Sequence, residues 1–320
     1  MNHSAKDIVI DSLKKLYRYR KRQKLGGLSN HFPLYLLEHL NEYDEVLGLF
    51  EDDLSRQLIA WFIQFRLVNS LVLDKDKTRD IVDPLLSRND SALLNLEAAR
   101  HPAGALAASI SVDVIENWLL EGYRLPGLCE AQPGDYVLDI GAFNGNSSLY
   151  FAGQVGLGGR VIAIEPDPNS ADALRSNVAG FPGEHAPIEV LNLAVSDHEG
   201  ELRFSKHGAA SRIDPKGDIS VKSRTIDALI KDLAPDHLDL MKFDIEGHEK
   251  QALAGAESTI KAYRPKLMVC IYHLAADLVE IPRLIRDISP WYKFYVRHHA
   301  AHDGELVLYC SPIRHHALDD

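Results

Sequence analysis

Residues 136–146, Tyr-Val-Leu-Asp-Ile-Gly-Ala-Phe-Asn-Gly-Asn, constrain the fold more than any other stretch of the chain. Val137, Leu138 and Ile140 read as a short apolar strand. Gly141 and Gly145 permit a sharp turn with close backbone approach, and residues 147–153 read as the helix that follows. Strand, glycine turn and helix start together make a cradle for a nucleotide-like cofactor. The glycines stand at G-x-x-x-G spacing, whereas a pyrophosphate on a helix N-terminus is seated by G-x-G-x-x-G. Asp139 places a carboxylate at the strand end, which repels phosphate and attracts a cation. S-adenosylmethionine carries no phosphate but does carry a sulfonium and an ammonium, so the turn points to methyl transfer and away from hydride transfer.

The surrounding pattern is α/β. After residue 111, strands at 136–140, 160–165, 188–195, 238–244 and 266–271 alternate with helical segments, which implies a parallel sheet covered on both faces. One helix carrying Ala252, Leu253, Ala256 and Ile260 is expected between the last two, and 306–310 reads as a late edge strand. Residues 201–204 and 219–221 suggest an inserted hairpin, and Thr225 a cap for the helix 226–233. Residues 1–110 read as an N-terminal helical region, and 111–320 as the domain bearing the chemistry. Pro33 opens one helix; a second starts near Asp52-Asp53 and carries a wide apolar stripe through Phe62 to Val72, read as core or subunit contact, so these helices are the candidate surface for a homo-oligomer. Asp83-Pro84 and 101–104 punctuate the remaining helices.

A net charge of −11 argues against nucleic-acid binding. No apolar run approaches the ~20 residues of a membrane span, and the first residues lack the plan of a signal peptide. Cys129, Cys270 and Cys310 show no paired spacing, which suits a reducing cytoplasm. Seven basic residues between Lys14 and Lys24 read as a solvated terminal helix, with a tether to an acidic partner or membrane surface as the functional alternative.

In an open α/β sheet, ligands gather beyond the carboxyl ends of the strands. The residues at those ends are Asp139, Glu165, Asp197, Asp244, Glu246 and His273. Glu165 ends the strand after the glycine turn, where an acid accepts from both ribose hydroxyls. Asp244, with His273 and Glu246 nearby, is the candidate group for taking the proton of an acceptor hydroxyl, or the three would hold a divalent ion such as Mg²⁺. Arg297, His298 and His299 follow another strand-like run, and with Tyr272 they are candidates for the acceptor side if that run lies beside the 266–271 strand. A dinucleotide-dependent oxidoreductase would share the fold but should carry the tighter glycine fingerprint. A non-catalytic binding protein would be expected to have lost several strand-end acids.

Several segments together resemble the FkbM-type methyltransferases: 137–145, Glu165-Pro166, 194–197 followed by Gly200, 225–227, and Lys242-Phe-Asp-Ile-Glu-Gly-His-Glu249. The match runs roughly over 112–312 and leaves the N-terminal helices aside. It implies a class I, Rossmann-like doubly wound, mostly parallel seven-stranded sheet. It also implies O-methylation of a hydroxyl on a sugar, glycan or secondary metabolite, with S-adenosylmethionine as methyl donor. Position by position, Asp139, Gly141, Ala142, Phe143, Asn144 and Gly145 would hold the methionine end of the cofactor and Glu165 the ribose. Pro166, Asn192, Ala194 and Asp197 complete the cofactor set, and Asp244 faces the reacting centre. The family usually has a small residue where this chain has His248.

Overall fold

The computed structural model describes residues 32–72, 78, 82, 88–106, 111–205, 212–217, 219–300 and 304–313. The basic 14–24 segment and Asp83-Pro84 lie outside them. The helices are α1 (Phe32–Glu38), α2 (Leu40–Leu47), α3 (Asp53–Val72), α4 (Arg88–Ala98) and α5 (Ser111–Val114), the last running into a π-helical turn, Ile115–Leu119. Then come β1 (Tyr136–Ile140), α6 (Asn146–Val155), β2 (Arg160–Ile164), α7 (Pro168–Gly180), β3 (Ile188–Leu191) and β4 (Ala194–Val195). They are followed by β5 (Gly200–Ser205), β6 (Arg212–Ile213), β7 (Ile219–Arg224), α8 (Ile226–Leu233), β8 (Leu240–Phe243), α9 (Glu249–Ala254) and α10 (Glu257–Tyr263). The chain closes with β9 (Lys266–Cys270), α11 (Asp277–Ile288), β10 (Tyr292–His298) and β11 (Leu306–Pro312). Among the described residues no helix is long and apolar enough to cross a membrane.

Seven strands form one sheet in the order β10-β11-β9-β8-β1-β2-β3, parallel from β9 to β3. β1 is central and buried at every position, as its nearly continuous apolar run requires. β11 runs antiparallel between β9 and β10, so it is an interior strand and the expectation of an edge there is corrected. Its five consecutive buried residues, Leu306 to Cys310, explain the placement, since an edge strand would expose one row.

The segment expected as one strand at 188–195 is two. Asn192 turns its amide onto the carbonyls of Glu165 (2.8 Å) and Pro166 (3.0 Å), and the ladder stops. β4 then joins a small second sheet, β4-β7-β5-β6, in which β5 and β7 are the inserted hairpin. The single helix expected after β8 is likewise two. At Gly255 a Cβ would stand 2.0 Å from the Ser196 carbonyl, so a continuous side-chain-bearing helix cannot pass. The Asp227 carboxylate then accepts from the Ser258 and Thr259 amides at 3.0 and 2.7 Å, capping the second helix. Thr225 caps α8 through the Ala228 amide at 3.1 Å.

The N-terminal helices lie against the sheet. The Glu51 amide bonds the Phe294 carbonyl at 3.0 Å, and Ser55 Oγ accepts from the Val296 amide at 2.8 Å, so residues 50–55 cover the otherwise open edge of β10. Ile59 and Phe62 share one apolar core with β10, β11 and α11. Part of the apolar stripe of α3 is therefore satisfied within the molecule. Phe62→Ala should cost about 3–5 kcal/mol of stability by urea denaturation, the range for emptying a buried aromatic position. A loss under about 1 kcal/mol would detach α3 from the core.

Candidate active site

The turn after β1 is held by backbone geometry. Gly141 has φ +83°, and a Cβ there would lie 1.8 Å from the carbonyl oxygen of Asp244, so glycine is required. Phe143 follows in the left-handed region, φ +46°, and its amide donates to Glu165 Oε2 at 2.9 Å. The other Glu165 oxygen accepts from the Asp167 amide at 2.8 Å. Burial, opposed by these two amides, pushes the Glu165 carboxyl up to about 7. Asn144 Oδ1 accepts from the Asn146 amide at 3.2 Å and fixes the entry to α6.

Beneath the turn lies an ion pair at the centre of the sheet. Asp139 and Lys242 are register partners on β1 and β8, both fully buried, with Nζ 3.1 Å from Oδ1. Lys242 Nζ also donates to the Gly141 carbonyl at 2.7 Å and stands 3.9 Å from Asp244. Burial works against the ammonium, but Asp139 and Asp244 outweigh it and hold its pKa above the ordinary value. The remaining Asp139 oxygen accepts from the hydroxyls of Ser147 (2.8 Å) and Ser148 (2.5 Å).

The turn after β8 supplies the second half. Glu246 and Gly247 both take positive φ, +57° and +96°. Glu249, fully buried at the start of α9, holds this strained turn by accepting from the Ile245 amide (2.8 Å) and the Gly247 amide (3.0 Å). It also lies 2.9 Å from His273 Nδ1, while His273 Nε2 is 3.4 Å from Asp244 and 3.8 Å from Glu246. Burial disfavours a charged ring, but Glu249, Asp244 and Glu246 outweigh it and raise His273 to about 10. The three carboxylates thus favour the imidazolium form of this ring. Glu246 is pushed up to about 7, by burial first and against the pull of His273. Tyr123 donates to Asp244 Oδ2 at 3.1 Å.

Both turns open into one cavity of about 250 Å³. Of the residues expected to form the site, Gly141, Ala142, Phe143, Asn144, Glu165, Pro166, Ala194, Asp244 and Glu246 line it. Asp139, Gly145, Asn192, Asp197 and His273 do not. Asp139 is turned to Lys242 and the two serines, and Gly145 packs on Leu174. Asn192 braces the loop after β2, and Asp197 pairs with His198 at 2.6 Å. The acceptor-side trio is also elsewhere, because β11 separates β10 from β9. Arg297 pairs with Asp52 at 2.7 Å, His298 packs on Trp61, and His299 meets the Tyr309 hydroxyl at 2.7 Å. Glu116, Tyr123, Arg212, Lys242 and Glu305 line the cavity although the reasoning from sequence assigned them no role. Only Lys242 carried a signal, as part of the quoted motif.

Donor atoms of Asp244, Glu249 and His273 come within 4.8 Å of one another, and Glu246 stands 3.8 Å from His273, so the three residues expected around a divalent ion gather where β8 and β9 end. Glu249 joins them while both its oxygens also accept backbone amides.

Residues 139–291 match the family model described as the methyltransferase FkbM domain, so the resemblance read from the motifs holds for that segment. The hexuronic acid methyltransferase AglP of Haloferax volcanii is 23% identical over 162 residues, 49% of this chain and 64% of AglP. The 2-O-methyltransferase NoeI of Sinorhizobium fredii is 25% identical over 202 residues, 55% of this chain and 80% of NoeI. The crystal structure of methyltransferase FkbM from Methylobacillus flagellatus superposes with a TM-score of 0.58 at 22% identity, covering 86% of this chain and 59% of that one. The chain thus spans under two thirds of the length of AglP and of that crystallised protein, and the structural likeness speaks to the fold.

A His273 pKa raised in the folded state gives stability that is complete below the unfolded value of ~6.5 and is lost as pH rises through about 10. The stability gap between wild type and His273→Gln, measured by urea denaturation, should be about 3–5 kcal/mol at pH 6.5 and should narrow by pH 10. A gap that stays flat would mean the ring is neutral.

Proposed function

Taking the FkbM-type methyltransferase domain as premise, we propose that this chain transfers a methyl group from S-adenosylmethionine to a hydroxyl of a sugar, glycan or secondary metabolite. The observation that supports the reading is the close approach of Gly141 to the Asp244 carbonyl, which brings the glycine turn after β1 and the acidic turn after β8 to one cavity. The name of NoeI states transfer to oxygen and that of AglP a hexuronic acid, which supports an oxygen acceptor of sugar type.

The residues fit such a cofactor. Gly141, Ala142, Phe143 and Asn144 line the cavity along the turn after β1, where the methionine end would lie. Glu165, its carboxyl already set by two amides, retains lone pairs for ribose hydroxyls, and Pro166 and Ala194 line the adenine side. When bound, the cofactor supplies an electrophilic methyl on a sulfonium. The remaining work belongs to the chain. Asp244 and Glu246 face the cavity and accept the proton that the hydroxyl loses as its oxygen is methylated. Glu246, at about 7, is poised near the working pH of a general base. His273 and Tyr123 hold Asp244 in place, and the buried wall excludes water from the line of transfer.

Glu165→Ala should weaken S-adenosylmethionine binding by about 1.5–3 kcal/mol in calorimetry, the loss of charged hydrogen bonds. Asp244→Asn should bind it within a few-fold of wild type yet lose nearly all turnover. Absence of binding by wild type would remove the reading, and full turnover by Asp244→Asn would remove the role of Asp244.

A further inference from the structure

We propose that the end of the cavity around Asp244 is an acceptor subsite built for an uncharged, hydroxyl-dense ring, a neutral hexoside in preference to a hexuronate; this rests on the methyl-transfer reading above. The groups come from separate parts of the fold. Glu116 arrives on the π-helical turn, where the Leu120 amide reaches back to the Ile115 carbonyl at 2.8 Å, a five-residue step. This wider turn lets Val112, Asp113, Glu116 and Asn117 all face the cavity. Glu305 sits just before β11 in the left-handed region, φ +48°, and its carboxyl is held by the Tyr272 hydroxyl at 2.7 Å. Tyr123 bonds Asp244 on the side toward Cys270. A non-glycine residue in that conformation persists only where its surroundings hold it.

Burial, with Asp113 and Asp244 adding to it, lifts Glu116 to about 9, and burial with Glu116 and Asp244 lifts Glu305 well above the carboxyl range. Protonated, each offers one donor and one acceptor, which matches a sugar hydroxyl, itself both. An acceptor carboxylate meets the opposite situation. Lys242, which lines the inner wall, is already committed to Asp139 and Asp244, and His273 behind the wall faces Glu249, Asp244 and Glu246. Arg212 lines the cavity from β6, exposed, with its charge acting on Glu246. A uronate would therefore be desolvated beside the Asp244 carboxylate, with no uncommitted inner cation among the described residues to receive it, and that penalty is the source of selectivity.

The test is transfer of labelled methyl from S-adenosylmethionine to methyl glycosides of glucose, galactose and mannose, each beside the matching uronoside. At least one neutral glycoside should exceed its uronate by ~10-fold or more in kcat/KM. Glu116→Leu, with an unchanged melting temperature, should raise KM for that glycoside by ~10-fold or more while S-adenosylmethionine affinity stays within twofold, and Glu116→Gln, which keeps a donor and an acceptor, should recover part of that loss. Uronosides used equally or better, transfer to neither class, or an unchanged KM in Glu116→Leu overturns the inference. Calorimetry on the same preparation separates the two levels. Enzyme that binds S-adenosylmethionine but fails the acceptor test sinks this inference alone, whereas enzyme that does not bind it sinks the underlying function.

Discussion

The Lys242 ammonium, fully enclosed at the centre of the sheet, joins what would otherwise be two independent turns. It faces Asp139 across the β1–β8 ladder, bonds the Gly141 carbonyl and approaches Asp244. An unpaired charge at this depth is expensive, and removing one partner of a buried pair typically costs about 3–5 kcal/mol. The lysine is therefore tied to both neighbours, and with it the distance between the turns after β1 and β8. Close approach of Gly141 to the Asp244 carbonyl follows the same logic in the backbone, because any side chain would force the turns apart.

Around that centre, charge is arranged in shells. Glu249 and His273 form a buried layer that sets the strained Glu246-Gly247 turn, and neither lines the cavity. Asp244 and Glu246 stand in front of this layer, facing the cavity. The helices before the sheet contribute at two distances. α3 and residues 50–55 close the β10 edge, and Arg66 of α3 donates to the Tyr272 carbonyl at 3.0 Å, linking that edge to the cavity wall at Tyr272. The π-helical turn forms the cavity wall itself.

Much of this was legible in the sequence because it is local. Apolar runs bounded by turn residues marked the parallel strands, and the glycine spacing marked the turn after β1. Glu165, Asp244 and Glu246 stand at strand ends and line the cavity, as their positions in the sequence imply. What was not legible depends on contacts between distant segments. The break at Gly255 exists because Ser196 passes within a Cβ radius of it, and no helix propensity reports that. β11 reads like any apolar strand, and only its partners on both sides make it interior. Asp139 was read as facing the ligand, whereas its register opposite Lys242 turns it inward. Glu116, Tyr123 and Glu305 belong to no motif and meet only after folding. His273 stood at the right strand end, but its charge is decided by Glu249, Asp244 and Glu246 acting together.

We propose that the β1 and β8 turns are the two ends of one methyl-transfer cavity, and a crystal structure with S-adenosylhomocysteine tests it. Ribose hydroxyls within hydrogen-bond distance of Glu165, and the sulfur at the end of the cavity bounded by Asp244, are the expected result. A ligand bound with its ribose away from Glu165, or its sulfur turned away from Asp244, would contradict it.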